Sequence, residues 1–379
     1  MEKIDRMHEV MFAELGDRCL DARFTMDFPI NGQEVPLSIE GYFAKMKVKE
    51  QSYWYHRSRK PDGNRKDVYV GKVDDIEITR RVEQFDTLKD NLKARRSLVR
   101  TLVDQAGLPS PDRFTGTVVE HLANAGLFRL RGTLVGTVAF QTYSGILGVR
   151  MPSAILQTGD ADFAQFHAVS AMVGDSIPPI LDVLRGIDPS FRDLPSHADP
   201  TRSTQFINST GYKVEFLTPN RGSDDYSGRP AEMPALGGAS AQPLRFLDFL
   251  IKDPVRSVLL HNGGISVLVP SPQRYAVHKL IVSSRRLSDT NGALKRGKDV
   301  HQASTLMQAM GEARMHQDLA EAFAEAWTRG SSWKEAISKG LSYLDKNDRN
   351  LIDAILAEGL TGIGESPDEF GISSTLPTP

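Results

Sequence analysis

Two aspartates separated by one residue constrain the fold of this chain more than any other feature. Asp160 and Asp162 stand in the sequence T-G-D-A-D-F-A-Q-F, beside small and apolar residues. Alternate side chains of a β-strand point to the same face, so on a strand the two carboxylates would lie side by side. A divalent cation relieves their repulsion, and Mg²⁺ binds carboxylate and phosphate oxygens while it keeps several waters. The pattern predicts a strand over residues 155–163 that can hold a metal–triphosphate complex.

A short glycine turn precedes this strand. Gly136 and Thr137 follow the apolar pair Leu134 and Val135 and come before a helix-like stretch over residues 138–147. A glycine at a strand-to-helix turn lets backbone N–H groups approach a phosphate, and the helix N-terminus favours the negative charge. Together the two pieces predict a phosphate contact beside a metal site. The alternative is an ordinary turn and a solvated strand end.

The order of these two pieces resembles the nucleotidyltransferase superfamily that includes DNA polymerase β. The pattern of that superfamily is an apolar residue, Gly, then Gly or Ser, a helix, and a strand that carries D-x-D or D-x-E. The wider sequence resembles a bacterial group of nucleotidyltransferase-fold proteins. Its later part is similar to the nucleotidyltransferase toxins of abortive-infection systems. The similar pieces span roughly residues 50–310 and are Y-W-Y-H-R-S-R-K, G-L-F-R-L-R-G-T-L-V-G-T-V-A-F-Q-T-Y, T-G-D-A-D-F-A, V-E-F-L-T-P, R-Y-A-V-H-K-L and K-D-V.

The resemblance implies an α+β fold with a polymerase β-like core, in which helices surround a mixed sheet. It implies that Asp160, Asp162 and a third carboxylate on a neighbouring strand hold Mg²⁺ or Mn²⁺. It also implies that Gly136 and Thr137 contact the phosphates of a nucleoside triphosphate (NTP), ATP among them. Lys279 matches a late lysine of the resembling families and would add positive charge there.

Glu215 is the candidate for the third carboxylate. It lies within the strand-like sequence K-V-E-F-L-T-P, where a buried glutamate is costly unless it is paired or binds a cation. A salt bridge to a nearby Arg or Lys is the alternative. Lys279 would neutralise triphosphate charge as a point cation, or is an ordinary surface lysine. Asp299 can orient Lys279 or Lys298 through a charge-assisted hydrogen bond.

The N-terminal part of the chain is basic. Over residues 41–100, Lys and Arg exceed Asp and Glu by seven. An aromatic stretch, a Pro-Asp-Gly turn and a V-Y-V stretch predict a β-hairpin, and a helix is expected over residues 78–105. One face of the first strand mixes rings with guanidinium groups: Tyr53, Tyr55, Arg57 and Arg59. This mixture suits a nucleic-acid backbone and stacked bases. A solvated hairpin whose aromatics cover the core is the alternative.

The amino-acid composition indicates which cellular compartment to expect. A single cysteine, Cys19, excludes an intramolecular disulfide and fits a reducing, intracellular environment. No apolar run approaches 18 residues, and the acid-containing N-terminus does not look like a signal peptide, so we expect a cytoplasmic protein without a membrane partner. The net charge of −2 argues against nucleic-acid binding over the whole surface, but it is compatible with a local basic patch.

The predicted elements divide the chain into four parts. Residues 1–105 are expected to form an N-terminal helix, the basic hairpin and a further helix, and residues 106–270 the nucleotidyltransferase core. An all-helical domain over residues 271–360 and a flexible tail over residues 361–379 complete the prediction.

The leading functional hypothesis is metal-dependent transfer of a nucleoside monophosphate from an NTP to a hydroxyl acceptor. The basic hairpin favours an RNA acceptor, tRNA included, and the family resemblance implies a toxin or phage-defence role with a cognate antitoxin. A second hypothesis is transfer to a protein hydroxyl. A third, from a different class, is a non-catalytic nucleic-acid-binding module on the same fold.

Overall fold

The computed structural model describes residues 1–20, 22, 25–59, 64–152, 159–196, 198–220 and 229–373. The strands are β1 (Glu2–Lys3), β2 (Thr25–Ile30), β3 (Gln33–Ser38), β4 (Tyr42–Val48), β5 (Gln51–Arg59), β6 (Arg65–Lys72), β7 (Thr133–Val135), β8 (Val149–Arg150), β9 (Asp160–Ala164), β10 (Arg192–Pro195), β11 (Ser203–Ile207), β12 (Lys213–Pro219), β13 (Ala231–Glu232), β14 (Ser240–Leu244), β15 (Val255–Leu259) and β16 (Ile265–Val269).

The helices fall into an N-terminal group, a set of short helices around the central sheet and a long C-terminal group. They are α1 (Arg6–Leu20), α2 (Ile76–Asp104), α3 (Arg113–Asn124), α4 (Gly136–Phe140), α5 (Tyr143–Leu147), α6 (His167–Met172), α7 (Ile180–Arg185), α8 (Leu247–Leu250), α9 (Pro272–Ser284), α10 (Thr290–Glu312), α11 (His316–Thr328), α12 (Ser331–Leu341) and α13 (Lys346–Gly362). No helix within the described ranges is long and apolar enough to span a membrane.

The N-terminal strands form a small unit against the first half of α2. The antiparallel sheet β4-β5-β6 and the hairpin β2-β3 share a separate hydrophobic cluster with this helix. Alternation along β5 explains the packing, because His56 and Trp54 turn inward while their neighbours face outward. The Trp54 indole donates to Thr79 Oγ1 at 3.0 Å. The predicted hairpin is present as β5 and β6, and its turn at residues 60–63 lies outside the described residues.

Helix α2 connects this unit to the rest of the chain. Asp75 caps its first turn by accepting hydrogen bonds from two backbone N–H groups. Farther along, Arg95 is 1% exposed, and its Nη1 donates to the Gly263 carbonyl at 2.9 Å and to the Gly264 carbonyl at 3.3 Å. The next residue, Arg96, donates to Asn262 Oδ1 at 2.8 Å. A buried guanidinium therefore fixes α2 against the β15-β16 hairpin.

The central sheet is mixed and has seven strands among the described residues. Strand β9 pairs with β7 on one side and runs parallel to β12 on the other. Beyond β12 lie β11 and β10 at one end, and β14 and β13 at the other. This mixed sheet with its surrounding helices agrees with the expected α+β class, and the division of residues 1–360 into three parts stays a prediction.

The C-terminal helices share one hydrophobic core with the central sheet. That core runs from Val118 on α3 to Ile372 near the end of the described chain. Residues 361–373 contradict the predicted flexible tail, because Phe370 is 5% exposed and Ile372 is 1% exposed. The Phe370 ring lies 6.4 Å from the ring of Trp327 on α11. Residues 374–379 lie outside the described residues.

Several predicted elements are shorter than expected. Before the glycine turn, the strand is confined to β7, because the chain turns through a left-handed residue, Arg131, at φ 66°. The helix over residues 138–147 is divided into α4 and α5. The strand that carries the two aspartates begins at Asp160 in the described chain, and residues 153–158 lie outside it.

The packed C-terminal segment predicts a clear stability effect. Phe370→Ala should reduce the free energy of unfolding by about 3 kcal/mol, because it removes a buried ring from the core. Leu351→Ala, at a side chain that is 48% exposed, is the matched control and should change it by less than about 1 kcal/mol. Chemical denaturation followed by circular dichroism measures both. A Phe370→Ala protein as stable as the control would show that this segment is mobile after all.

Candidate active site

The pairing of β9 with β12 brings three carboxylate residues to one face of the sheet. In the parallel register Asp162 is opposite Glu215, and Asp160 is opposite Lys213. Neighbouring strands lie about 4.8 Å apart, so partners in register point the same way and their side chains can meet. Asp160 is exposed, whereas Asp162 and Glu215 are partly buried. The structure therefore places the three predicted acids together.

The glycine turn lies against Asp162 on the side of β9 that pairs with β7. Val135, the last residue of β7, is opposite Asp162 in the antiparallel register, so Gly136 follows directly beside it. Gly136 has φ +67°, and a Cβ built on it would lie 2.6 Å from Asp162 Oδ2. Only glycine fits here without strain. Thr137, the next residue, is partly buried in α4, which has five residues.

A tyrosine from the C-terminal helices fixes this turn. The Tyr275 hydroxyl, on α9, donates to the Gly136 carbonyl oxygen at 2.9 Å. The Tyr275 side chain is 1% exposed, so its hydroxyl is shielded from water. The helical part of the chain thus contributes directly to the geometry of the turn.

The acids repel one another strongly when no cation is present. Burial, followed by the charges of Asp160 and Glu215, raises the pKa of Asp162 to about 7, although Lys279 opposes the shift. Burial also raises the pKa of Glu215, although a hydrogen bond from Gln205 opposes this. A bound cation would offset this repulsion and stabilise the ionised carboxylates.

The side chains of this face have the donor atoms that a divalent metal requires. Carboxylate oxygens from Asp160, Asp162 and Glu215 are the ligands that Mg²⁺ and Mn²⁺ prefer. Within the described part of the chain, however, no three His, Cys, Asp or Glu side chains lie close enough, as they stand, to bind one ion. Glu215 explains part of this, because its Oε1 accepts a hydrogen bond from Gln205 Nε2 at 2.8 Å on the side away from β9. The chemistry fits a metal, provided that side chains rotate towards it.

Positive charge faces the acids from α9 and α10. Lys279 Nζ lies 2.7 Å from Asp299 Oδ1, and Arg286 Nε lies 2.7 Å from Asp299 Oδ2. Asp299 is 2% exposed, and burial opposes its ionisation, but the two ion pairs outweigh this and lower its pKa. The prediction that Asp299 pairs with Lys279 is confirmed. One carboxylate shared by two cations leaves a net positive charge beside Asp162.

Two lysines near the acids were not among the predicted site residues. Lys295 affects the pKa values of Asp162 and Glu215, and Lys298 interacts electrostatically with Asp160 and Asp162. Burial lowers the pKa of Lys298, and the nearby charge of Lys279 lowers it further. Their spacing from Asp299 along α10 puts all three on one face of the helix, which is the sequence signal that could have identified them.

A comparison with protein families shows the family to which the chain belongs. A family model described as nucleotidyltransferase matches residues 113–328, more than half of the 379 residues. The chain belongs to this nucleotidyltransferase family. Neither a comparison with curated proteins nor one with solved structures gave a match. The matched region of the nucleotidyltransferase contains the glycine turn, the three acids and the lysines of α9 and α10.

The four predicted nucleic-acid residues lie outside the matched region, on β5. The Tyr53 and Tyr55 rings lie 5.8 Å and 5.6 Å from the ring of Tyr69 on β6. Arg57 Nε lies 3.5 Å from Asp67 Oδ2, and Arg59 is exposed. These residues share one face, as predicted. They belong to the N-terminal unit of the nucleotidyltransferase and not to the sheet that carries the acids.

The close approach of Gly136 to Asp162 gives a prediction that does not depend on activity. Gly136→Ala should destabilise the nucleotidyltransferase by more than the roughly 1–2 kcal/mol that a left-handed non-glycine residue costs, because its methyl group meets the Asp162 carboxylate. Gly159→Ala is the matched control, since nothing lies within 4 Å of its added Cβ. In an Asp162→Ala background the cost of Gly136→Ala should fall towards the backbone cost alone. Chemical denaturation of the wild type and of these variants measures the free energies of unfolding. An equal effect of Gly136→Ala in both backgrounds would show that the carboxylate rotates away freely.

The raised pKa of Asp162 predicts a pH dependence of stability in EDTA. The folded-state pKa of about 7 lies above the ordinary value of 3.8, so the folded state binds more protons between these two values. Stability should therefore fall as the pH rises from 4 towards 7, by up to about 1.4 kcal/mol per pH unit, and level off above pH 7. Asp162→Asn should remove this component. The difference between the unfolding free energies of the wild type and Asp162→Asn, measured from pH 5 to 8, tests the sign of this pH dependence. A difference that does not vary with pH would contradict the raised pKa.

Proposed function

We propose that this protein is a metal-dependent nucleotidyltransferase that transfers a nucleoside monophosphate from an NTP to a hydroxyl group of RNA. The observation that carries the proposal is the facing arrangement of acids and lysines around Gly136. Asp160, Asp162 and Glu215 form an anionic side that suits a divalent cation. Lys279 and its neighbours on α10 form a cationic side that suits the triphosphate.

In this proposal each group has a separate task. Asp160 and Asp162 would hold the metal together with Glu215 after its side chain leaves Gln205. The bound metal supplies charge stabilisation for the attacking and leaving oxygens. Gly136 and Thr137 would position the phosphates through backbone contacts, and Lys279 would neutralise their charge. The acceptor oxygen forms a bond to the α-phosphorus, the bond from that phosphorus to the leaving oxygen breaks, pyrophosphate departs, and the hydroxyl proton passes to solvent.

The acceptor is inferred from the N-terminal unit. Partly buried tyrosine rings and arginines share the outer face of β5, next to the exposed ring of Tyr69. Bases stack on such rings, and guanidinium groups bind phosphates, which favours RNA, a tRNA end included. A hydroxyl on a protein is the second candidate acceptor, with the same surface serving for docking. The toxin or phage-defence role and the cognate antitoxin remain proposals from the family resemblance.

Loss of the first metal ligands is the direct test. Asp160→Asn and Asp162→Asn should each reduce labelled-nucleotide transfer at least about 10²-fold, because metal stabilisation contributes several kcal/mol to the transition state. Asp182→Asn, an exposed aspartate on α7, is the matched control and should retain full transfer. The measurement is incubation of the protein with each α-labelled NTP, Mg²⁺ and total bacterial RNA, followed by gel electrophoresis of RNA and protein.

The position of the label distinguishes the hypotheses. Label in small RNA from the wild type and not from the two variants establishes transfer to RNA and identifies the base. Label in a protein band would assign the acceptor to a protein. If no NTP, acceptor or divalent ion gives label and the protein still retains RNA, the non-catalytic binding module is correct.

A further inference from the structure

A concave surface of about 640 Å³ lies on the N-terminal unit, where the ends of β3, β4, β5 and β6 meet. Three arginines, two serines, a tyrosine and one glutamate line it. The arginines are Arg57, Arg59 and Arg65. Small-molecule and nucleotide sites fall in the same range of volume, about 300–1,000 Å³. We call this concavity the arginine pocket.

The acids around the arginine pocket are already engaged. Asp67 is shared by Arg57 and Arg65, at 3.5 Å and 2.6 Å. Among the described residues Glu40 is the acid of the lining, and it pairs with Arg96 of α2, which is not part of the lining. Arg57 and Arg65 share the Asp67 carboxylate, so the described residues leave the pocket with a net positive charge.

Further cations strengthen the positive potential. Lys89 Nζ lies 5.5 Å from the centre of the Tyr42 ring, a lining residue that is 49% exposed. His56, buried behind this surface, has a lowered pKa, chiefly through burial, and the charges of Lys66 and Lys89 add to the effect. Like charges gathered on a concave surface raise the local potential and attract anions.

Among the described residues, one donor in the pocket wall, Arg57 Nε, is held only by its long ion pair with Asp67. Arg57 Nε is buried and makes no hydrogen bond within the described part of the chain, although Arg57 Nη2 contacts Met46 Sδ at 3.4 Å. A guanidinium group offers several N–H donors in a planar fork, and this geometry matches phosphate oxygens. A phosphate in the pocket would satisfy the donor and neutralise the charge.

The arginine pocket is not required for the packing of its own unit. The cluster that stabilises the unit is apolar and lies on the opposite face of the strands, against α2. The family match begins at residue 113, so the pocket also lies outside the region that carries the catalytic chemistry. Its charge is therefore available for a ligand that is not the triphosphate of the active site.

We propose that the arginine pocket binds a backbone phosphate of single-stranded RNA, with the adjoining base against the exposed Tyr42 ring. The assignment of this RNA as the acceptor rests on the proposed function, whereas the binding itself does not. Arg59 and Arg65 provide exposed guanidinium groups, and Ser58 provides a hydroxyl group for the same phosphate. Beyond the pocket, the RNA strand would run along the outer tyrosines of β5 and β6.

The test measures binding without turnover. A fluorescein-labelled single-stranded RNA is titrated with the full-length protein in EDTA, without NTP, at several salt concentrations, and anisotropy gives the affinity. Arg59→Gln combined with Arg65→Gln should lower the slope of log K against log salt by about 0.7, because the two arginines neutralise one phosphate. The same loss corresponds to about 5-fold weaker binding at 0.1 M salt.

Matched variants separate the pocket from general charge. Arg18→Gln combined with Arg129→Gln removes the same charge from two arginines that pair with acids elsewhere, and should leave affinity unchanged within about twofold. Tyr42→Leu should weaken binding about fivefold or more and leave the salt slope unchanged, because stacking does not release counterions. Thermal unfolding confirms that each variant is folded.

Each result decides the proposal. Equal losses in the pocket and control pairs would overturn it, as would absence of RNA binding by the wild type. Displacement of the RNA by a mononucleotide or pyrophosphate at equal phosphate concentration would assign the pocket to small anions and overturn the RNA assignment. Asp162→Asn should bind the RNA as the wild type does, so a protein that binds RNA but transfers no nucleotide refutes the proposed function and leaves the pocket intact.

Discussion

Repulsion between carboxylates on two parallel strands is the constraint on which the site depends. Strands β9 and β12 pair in a register that sets Asp162 opposite Glu215, with Asp160 two residues earlier on the same face. The sheet holds these groups together although burial and their mutual charge disfavour ionisation, as the raised pKa of Asp162 shows. Such an arrangement costs stability unless something else balances the charge. The surrounding elements can be understood as the parts that provide this balance.

Helices α9 and α10 provide the balancing positive charge from the opposite side of the site. Helix α9 contributes Tyr275, which holds the glycine turn, and Lys279 one helical turn later, which faces the acids. Asp299 fixes Lys279 in place and is itself stabilised by Arg286. Because one hydrophobic core joins these helices to the sheet, the distance between the acids and the lysines is set by packing. The site is thus a property of the sheet and the helices together.

Local patterns in the sequence were sufficient to find the residues that act within one strand or one turn. The spacing of Asp160 and Asp162, the position of Gly136 and the strand around Glu215 all depend on neighbours within a few residues. The spacing of Lys295 and Lys298 from Asp299 indicates that they share one face of α10, but their proximity to the acids depends on how α10 packs against α9, which this spacing does not specify. The buried C-terminal segment was missed for the same reason, since Phe370 is held by Trp327 on another helix. The helix expected over residues 138–147 was overestimated in length, since the chain divides there into α4 and α5.

Helix α2 fixes the position of the N-terminal unit relative to the central sheet. Its first half packs in the cluster of the small sheets, and its second half packs against α1 in a different cluster. Between the two, Arg95 is bonded to the β15-β16 hairpin, and Arg96 links that hairpin to Glu40 beside the arginine pocket. Breaking this link would leave a guanidinium group buried without its partners, so the joint resists bending. A strand of RNA bound on the small sheet would therefore be held at a fixed position relative to the acids, which is what a transferase that must present one hydroxyl group to one phosphorus atom requires.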